Sequence, residues 1–371
     1  RSFRFLPTAP PRMSSLPIPA PKLPRSPRPI VSIGAGGIVK DAHLPAYRIA
    51  GFPVAGIYDL DTARASALAK DFSIPRIFPS LSDAISQAPE RAVFDVAVPA
   101  SALSEILTAL PDGASVLIQK PFGENLPDAR RLLAICQRKQ LRAAVNFQLR
   151  YAPYIAAARQ LIHDGAIGEV HDMEIRVTVY MPWQLWTFLE KTPRVEILYH
   201  SIHYVDLIRS FLGEPRGVYA KTVKHPLTAK LASTRTNIAL DYGDTLRANI
   251  ATNHGHLFGL RHQESYVKWE GSRGAIKARL GLLMNYPEGE PDALEMCQLD
   301  DAGRPGEWLP VPFSGSWYPH AFISTMADVM RFADGETDEL PTRVEDAFKT
   351  MATVEATYTS SATGATPIPQ S

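Results

Sequence analysis

With 371 residues, the chain is long enough for two domains and a large core, and its charges nearly cancel at +1 with 21% charged residues. Nothing in that balance suits a polyanionic partner, no Lys/Arg stripe interleaved with aromatics marks a nucleic-acid surface, and short, interrupted apolar runs argue against a membrane span. Cys136 and Cys297 are too few for a disulfide framework or a cysteine-built zinc site, so they read as thiols of a reducing compartment and a cytoplasmic location is expected.

Residues 1–29 differ in kind. They are rich in proline, carry Arg1, Arg4, Arg12, Lys22, Arg25 and Arg28, and contain no acid. Repeated proline forbids a helix and favours an extended arm. It also spoils the amphipathic helix that an Arg-rich transit peptide needs. Two readings stand: a disordered leader, with Met13 as a candidate start, or an arm that wraps a neighbouring subunit.

Between Ile30 and about residue 148 short apolar runs alternate with helical patterns. Val31–Ile33, Val54–Tyr58, Ile77–Phe78, Val93–Val98, Val116–Ile118 and Ala143–Asn146 read as buried strands. Thr62–Lys70, Leu81–Gln87, Leu103–Leu110 and Asp128–Lys139 read as helices. That rhythm predicts an α/β domain with a doubly wound, mostly parallel sheet, whose ligand sits outside the carboxyl ends of the strands. The first run breaks into Gly34-Ala35-Gly36-Gly37-Ile38. Gly34 permits a tight turn, Gly36 lets a pyrophosphate approach the backbone, and the next helix offers free N–H groups. Asp59 ends the following strand roughly twenty-five residues on, near the usual spacing for a carboxylate that holds a ribose. Val39 stands where the motif usually has Gly or Ala, which loosens helix–strand packing.

The pattern changes near residue 149, and residues 149–371 read as an α+β domain. A helix at Pro153–Ile162 leads into the strand Val170–Tyr180, and a second helix spans Glu196–Leu212. Gly217–Thr222, Thr236–Leu240, Leu246–His254, Tyr266–Glu270 and Gly274–Ala278 follow without intervening helices, which predicts a mostly antiparallel sheet. Helices at Tyr318–Ala333 and Val344–Tyr358 close the chain.

Lys120 follows Val116-Leu117-Ile118, so it lies at a strand's carboxyl edge. Pro121 confines it to extended geometry. An ammonium there can hydrogen-bond a substrate hydroxyl and favour the alkoxide as hydride leaves. On the Glu196–Leu212 helix, Leu198, Ile202, Val205, Ile208 and Leu212 form the buried stripe, while Tyr199, His203 and Asp206 share a neighbouring face. His203 is the group suited to accept a proton near neutral pH, with Asp206 or Tyr199 available to fix its tautomer. His200 and His203 lack further ligands at metal spacing, so no metal is expected. Trp183, Trp186 and Trp317 offer faces that stack on pyranose rings, though such clusters are more often core. Asn253-His254-Gly255-His256 adds polar groups with no decisive spacing.

Together these residues resemble one family, the glucose–fructose oxidoreductase, inositol dehydrogenase and rhizopine-catabolism (Gfo/Idh/MocA) oxidoreductases, from Ile30 to Pro369. The glycine turn with His43-Leu44-Pro45-Ala46 is similar to the family's opening. Gln119-Lys120-Pro121 resembles its Glu-Lys-Pro signature, and Asn146–Pro153 with Gly165–Val170 its domain junction. His203-Tyr204-Val205-Asp206-Leu207 resembles its histidine helix, and Val344–Ala347 with Glu355-Ala356 its last helix. The resemblance implies a Rossmann domain, a second domain with an open sheet used for oligomer contacts (a dimer or tetramer), and nicotinamide-linked redox on sugars, inositols or related alcohols. It carries the family's lysine onto Lys120 and its histidine onto His203. The family's aspartate one turn earlier is Tyr199 here, which makes Tyr199 a rival acid/base if its pKa is lowered. The histidine expected after the fourth strand is Leu103.

The expectation is an NAD-dependent dehydrogenase of a cyclic sugar or polyol. Gly34, Gly36, Gly37, Ile38, Asp59, Pro99, Lys120 and Gln148 would hold the cofactor. Lys120, Arg150, Trp183, Trp186, His200 and His203 would meet the substrate. NAD is preferred over NADP because Asp59 repels a 2′-phosphate. Two other readings stand: an oxidoreductase or redox-assisted glycoside-cleaving enzyme that retains its cofactor, and a non-catalytic nucleotide sensor.

Overall fold

The computed structural model of the protein describes residues 20–369, so the first nineteen residues of the expected arm lie outside it. The remainder of that arm lies against the molecule's own body. The Arg28 guanidinium donates to Asp334 at 2.6 Å, and the Arg25 amide donates to Glu336 at 2.9 Å.

β1 (Ile30–Ile33), β2 (Val54–Tyr58), β3 (Val93–Val96), β4 (Ser115–Ile118) and β5 (Arg142–Val145) form a parallel sheet in the order β2-β1-β3-β4-β5. Every residue of β1, β3 and β4 is buried, as an unalternating apolar run requires of a strand covered on both faces. α1 (Leu44–Ala50), α2 (Thr62–Phe72), α3 (Leu81–Ser86), α4 (Leu103–Ala109) and α5 (Leu126–Arg138) supply the crossovers. Side chains cap three of them: Asp61 accepts from the Arg64 amide, Ser80 from Asp83, and Asn125 from Asp128. The expected strand Ile77–Phe78 is reduced to a single bridge between Ile77 and Ile57, because α3 starts only three residues after Phe78. Strand order reverses between β1 and β3, which opens a crevice at their carboxyl ends.

α6 (Pro153–His163) leads to β6 (Val170–Thr178), and α7 (Ile202–Leu212) to β7 (Gly217–Val223), β8 (Arg235–Asp241), β9 (Arg247–Asn253), β10 (Glu264–Gly271), β11 (Gly274–Arg279), β12 (Ala293–Gln298) and β13 (Leu309–Pro310). These eight strands order as β13-β12-β11-β10-β6-β9-β8-β7, antiparallel except for β6 with β9. Side chains alternate across it: Thr236, Ile238 and Leu240 of β8 are buried while Asn237 and Ala239 are exposed. The outer face carries ion pairs, including Arg247–Asp172 at 2.5 Å and Arg176–Glu264 at 2.6 Å.

α8 (Ala321–Ala333) and α9 (Val344–Thr363) return to the first sheet. α8 packs on α1, β4 and β5, and α9 on α5 and β5 as well as β7. The Val145 amide donates to the Thr342 carbonyl at 2.8 Å, and Ala144 bridges Arg343. The end of the chain thus completes a sheet laid down at its beginning. No helix among the described residues is long and apolar enough to cross a membrane.

Candidate active site

The glycine turn sits at the carboxyl end of β1. Gly34 has φ +113°, and a Cβ there would stand 2.2 Å from the Ala97 carbonyl oxygen, so the turn admits no side chain. Gly36 faces open space, with nothing within 4 Å of a built Cβ. The Gly36 carbonyl accepts the Val39 and Lys40 amides at 3.1 Å each, which makes it the start of the helix. The amides of Gly37 and Ile38 therefore have no earlier carbonyl to bond and are available to an anion. Asp59 is pinned beside the turn: it accepts from the Ala35 amide at 2.6 Å and from the Asp61 amide at 2.8 Å. Pro99 caps a short turn beyond β3. Gln119, Asn146 and Gln148, just past β4 and β5, hold buried side-chain atoms without partners among the described residues. Free amides, an open glycine and unpaired amide side chains fit a dinucleotide that runs along the carboxyl ends of the strands.

Lys120 reaches from the end of β4 to the second half of the chain. Its ammonium donates to the Tyr199 carbonyl at 2.7 Å. Burial lowers its pKa to about 8. Tyr199 lies in a π-helical turn, Ile197–Ser201, which continues directly into α7. Such turns carry an extra residue and recur at functional sites. Burial, and then Lys120, push the His203 imidazole well below its ordinary value. His203 packs edge-on against Phe147 and Trp317, with ring centroids 6.4 and 6.1 Å away. The amine thus bonds the turn that leads into the helix of His203 and lies near enough for its charge to act on that imidazole.

Three expectations change in the structure. Asp206 does not orient His203: its carboxylate accepts from Arg150 at 2.6 Å twice over and from Thr350 at 2.9 Å, while His203 Nδ1 has no partner among the described residues. The guanidinium outcompetes the neighbouring imidazole because a bidentate charge pair is the stronger bond. Arg150 is correspondingly drawn away from the substrate, since it also donates to Asp346 at 2.5 Å and to the Pro341 carbonyl at 3.1 Å. It is a strut between the short turn Gln148–Tyr151, α7 and α9. Tyr199 does not have a lowered pKa: burial and the Glu124 carboxylate raise its phenol. Its ring leans on Phe188, and only its backbone meets Lys120.

Of the remaining candidates, Trp183 packs on His200 with centroids 5.2 Å apart. Trp186 lies farther out, against Tyr286 at 5.7 Å. The indole N–H groups of Trp183 and Trp317, and Nδ1 of His200, are buried without partners among the described residues. Leu103 is fully buried in the core and offers the cleft nothing. One pairing in this region, Glu196 with His254, is not legible in the sequence, although His254 stands there among polar groups at a strand end. Glu196 is fully buried and takes a hydrogen bond of 2.7 Å from Ser201, and His254 lies 3.3 Å from it. They stand 58 positions apart, so no local spacing links them; the only signal was an acid on the apolar approach to a helix.

Comparison with known proteins accords with this architecture. A model of an oxidoreductase family with an NAD-binding Rossmann fold matches residues 29–147, and a Gfo/Idh/MocA C-terminal domain model matches residues 155–276. A D-apiose dehydrogenase of Paraburkholderia graminis is 26% identical over 353 residues, covering 90% of this chain and 88% of the relative. An inositol 2-dehydrogenase of Corynebacterium glutamicum is 29% identical over 204 residues, 54% of this chain and 58% of its own. Among solved structures, a levoglucosan dehydrogenase bound to NADH and levoglucosan superposes with a TM-score of 0.72 at 18% identity, covering 91% of this chain and 98% of that one. The strand order, the glycine turn and both domain matches make this chain a member of the Gfo/Idh/MocA oxidoreductases, with an NAD-binding Rossmann domain.

Proposed function

We propose that the protein is an NAD-dependent dehydrogenase acting on a secondary or anomeric hydroxyl of a cyclic sugar or polyol. The observation that carries the proposal is the 2.7 Å bond from Lys120 to the Tyr199 carbonyl, which ties the amine beside the nucleotide crevice to the helix of His203. NAD supplies the hydride acceptor. The Gly37 and Ile38 amides would hold its phosphates, and Asp59, which repels a 2′-phosphate, would hold its ribose; Gln148 and Pro99 would also contact it. Lys120 hydrogen-bonds the reacting oxygen, and His203, a neutral imidazole, receives its proton. The unpaired groups of Trp183, His200 and Trp317 suit a ligand dense in hydroxyls. Relatives named as dehydrogenases of apiose, inositol and levoglucosan support the same substrate class. A cytoplasmic homo-oligomer belongs to this reading: both cysteines are buried free thiols, and the second sheet presents a broad polar outer face.

A panel of monosaccharides, inositols and anhydrosugars, followed by absorbance of reduced nicotinamide, tests the proposal. Turnover with at least one member is expected. No turnover with any member, by protein that binds NAD, would replace it with the sensor reading.

A further inference from the structure

A proton left on His203 would place a second positive charge beside Lys120, and among the described residues no carboxylate bonds that imidazole to offset it. Asp206 belongs to Arg150 and Thr350. One turn away the arrangement is the reverse. The His200 and His254 rings lie 4.6 Å apart at 34°, and Trp183 packs on both, at 5.2 and 6.0 Å. Behind them, Glu196 Oε1 is 3.3 Å from His254 Nε2. The three residues grade from half-buried His200, through His254 at 1% exposure, to Glu196 at 0%. An imidazole pair therefore opens toward the cleft at one end and rests on a carboxylate at the other.

We propose that, in the reaction proposed above, the proton leaving the substrate hydroxyl comes to rest on the His200–His254 pair, with Glu196 as its buried counter-charge. The step balances: the C–H electron pair leaves as hydride to NAD, the O–H electron pair becomes the second carbonyl bond, and the proton, taken first by His203, passes to the neutral imidazole of His200, which leaves His203 neutral again. His254 and Glu196 are positioning residues that act through His200. A lone carboxylate is costly to bury, and replacing it there by an apolar side chain would be the simpler way to fill the core, so its retention beside an imidazole points to a charge it must balance. Burial opposes the Glu196 anion, but His254 and the hydroxyls of Thr236 and Ser201 hold its carboxyl below the usual range. Burial, then His254, Lys120 and His203, keep His200 neutral and ready to accept. The other titratable groups facing the trio are Tyr204 from α7 and Tyr358 from α9, both kept protonated by burial, and His225, which lies against Gly255 in the turn after His254.

The test has one arm with turnover and one without. In the first, kcat for alcohol oxidation is measured against pH. Removing the anion weakens the imidazole base, so Glu196→Gln should move the acidic limb about one unit to lower pH and lower the plateau on the order of tenfold, with KM and NAD affinity unchanged. A merely structural role would lower the melting temperature and leave the limb in place. In the second arm, imidazole nitrogens of the unliganded protein are titrated by NMR, with His200→Gln and His254→Asn proteins used for assignment. The midpoint of the pair should fall by about one unit in Glu196→Gln. An unmoved limb or an unmoved midpoint overturns the proposal. This arm needs no substrate, so it decides the proposal even where the sugar panel fails. Should Glu196→Gln not fold, half-buried His200→Gln replaces it. Its plateau should drop on the order of 100-fold and the acidic limb disappear; a limb that survives overturns the proposal.

Discussion

The two regions that meet at Lys120 are built on opposite economies. Around the glycine turn, β1, β3 and β4 are wholly buried, and each Val, Leu or Ile there contributes about 1.5–3 kcal/mol by leaving water. Polar contact with a nucleotide is left to backbone amides, to Asp59 and to the amide side chains just past β4 and β5. Around α7, indole and imidazole groups are buried without partners among the described residues, and each such group costs about 1–3 kcal/mol. A chain keeps such groups where a ligand completes them. The first region is therefore shaped by folding and the second by what it binds.

Substitutions can break this contrast. The largest effect is expected for Lys120→Ala, which should lower kcat on the order of 10³-fold by removing the donor to the reacting oxygen while NAD affinity, read by calorimetry, stays unchanged. A parallel loss of NAD binding would show that Lys120 serves the nucleotide instead. Next comes Arg150→Met. It strands the buried carboxylate of Asp206 and should cost about 3–5 kcal/mol in denaturant unfolding, with little change in KM for the sugar. A large rise in KM at unchanged stability would return Arg150 to the substrate.

Gly36→Ala sharpens the comparison within one region. Its Cβ meets nothing in the protein, so the melting temperature should hold, while NAD affinity falls on the order of tenfold because the methyl group occupies the path of the pyrophosphate. The most gradual effect is one of pH. Lys120 titrates at about 8 because burial penalises its charge, so it is an ammonium below that pH and a weaker polarising amine above it. The rate of carbonyl reduction should fall as pH rises, by about tenfold per unit beyond pH ~8. A flat profile from pH 7 to 10 would remove Lys120 from the reacting oxygen.

Legibility followed the range of the interactions. β1, its glycine turn and β2 could be read directly, because an apolar run, a forced glycine and a carboxylate lie within thirty residues of each other. β12 went unread: Ala293–Gln298 is a short alternating stretch whose identity comes from pairing with β11. The single-turn helices over Trp183–Lys191 carry no periodicity long enough to register. On α7 the helical spacing brought Tyr199, His203 and Asp206 to one face, but spacing cannot say which of several neighbours a carboxylate prefers. Arg150, 56 positions earlier in the chain, decided that for Asp206. Glu196 and His254 were invisible as a pair for the same reason.

The return of α8 and α9 to the first sheet has a consequence for how the molecule is born. β4 and β5 leave the ribosome early, yet the helices that cover them are encoded after residue 320. Until those helices emerge, one flank of the nucleotide half stays bare and wet. The cofactor cradle, encoded before the helices that cover it, is thus among the last parts to be finished, and truncation late in translation would spoil it as surely as a lesion at Gly34.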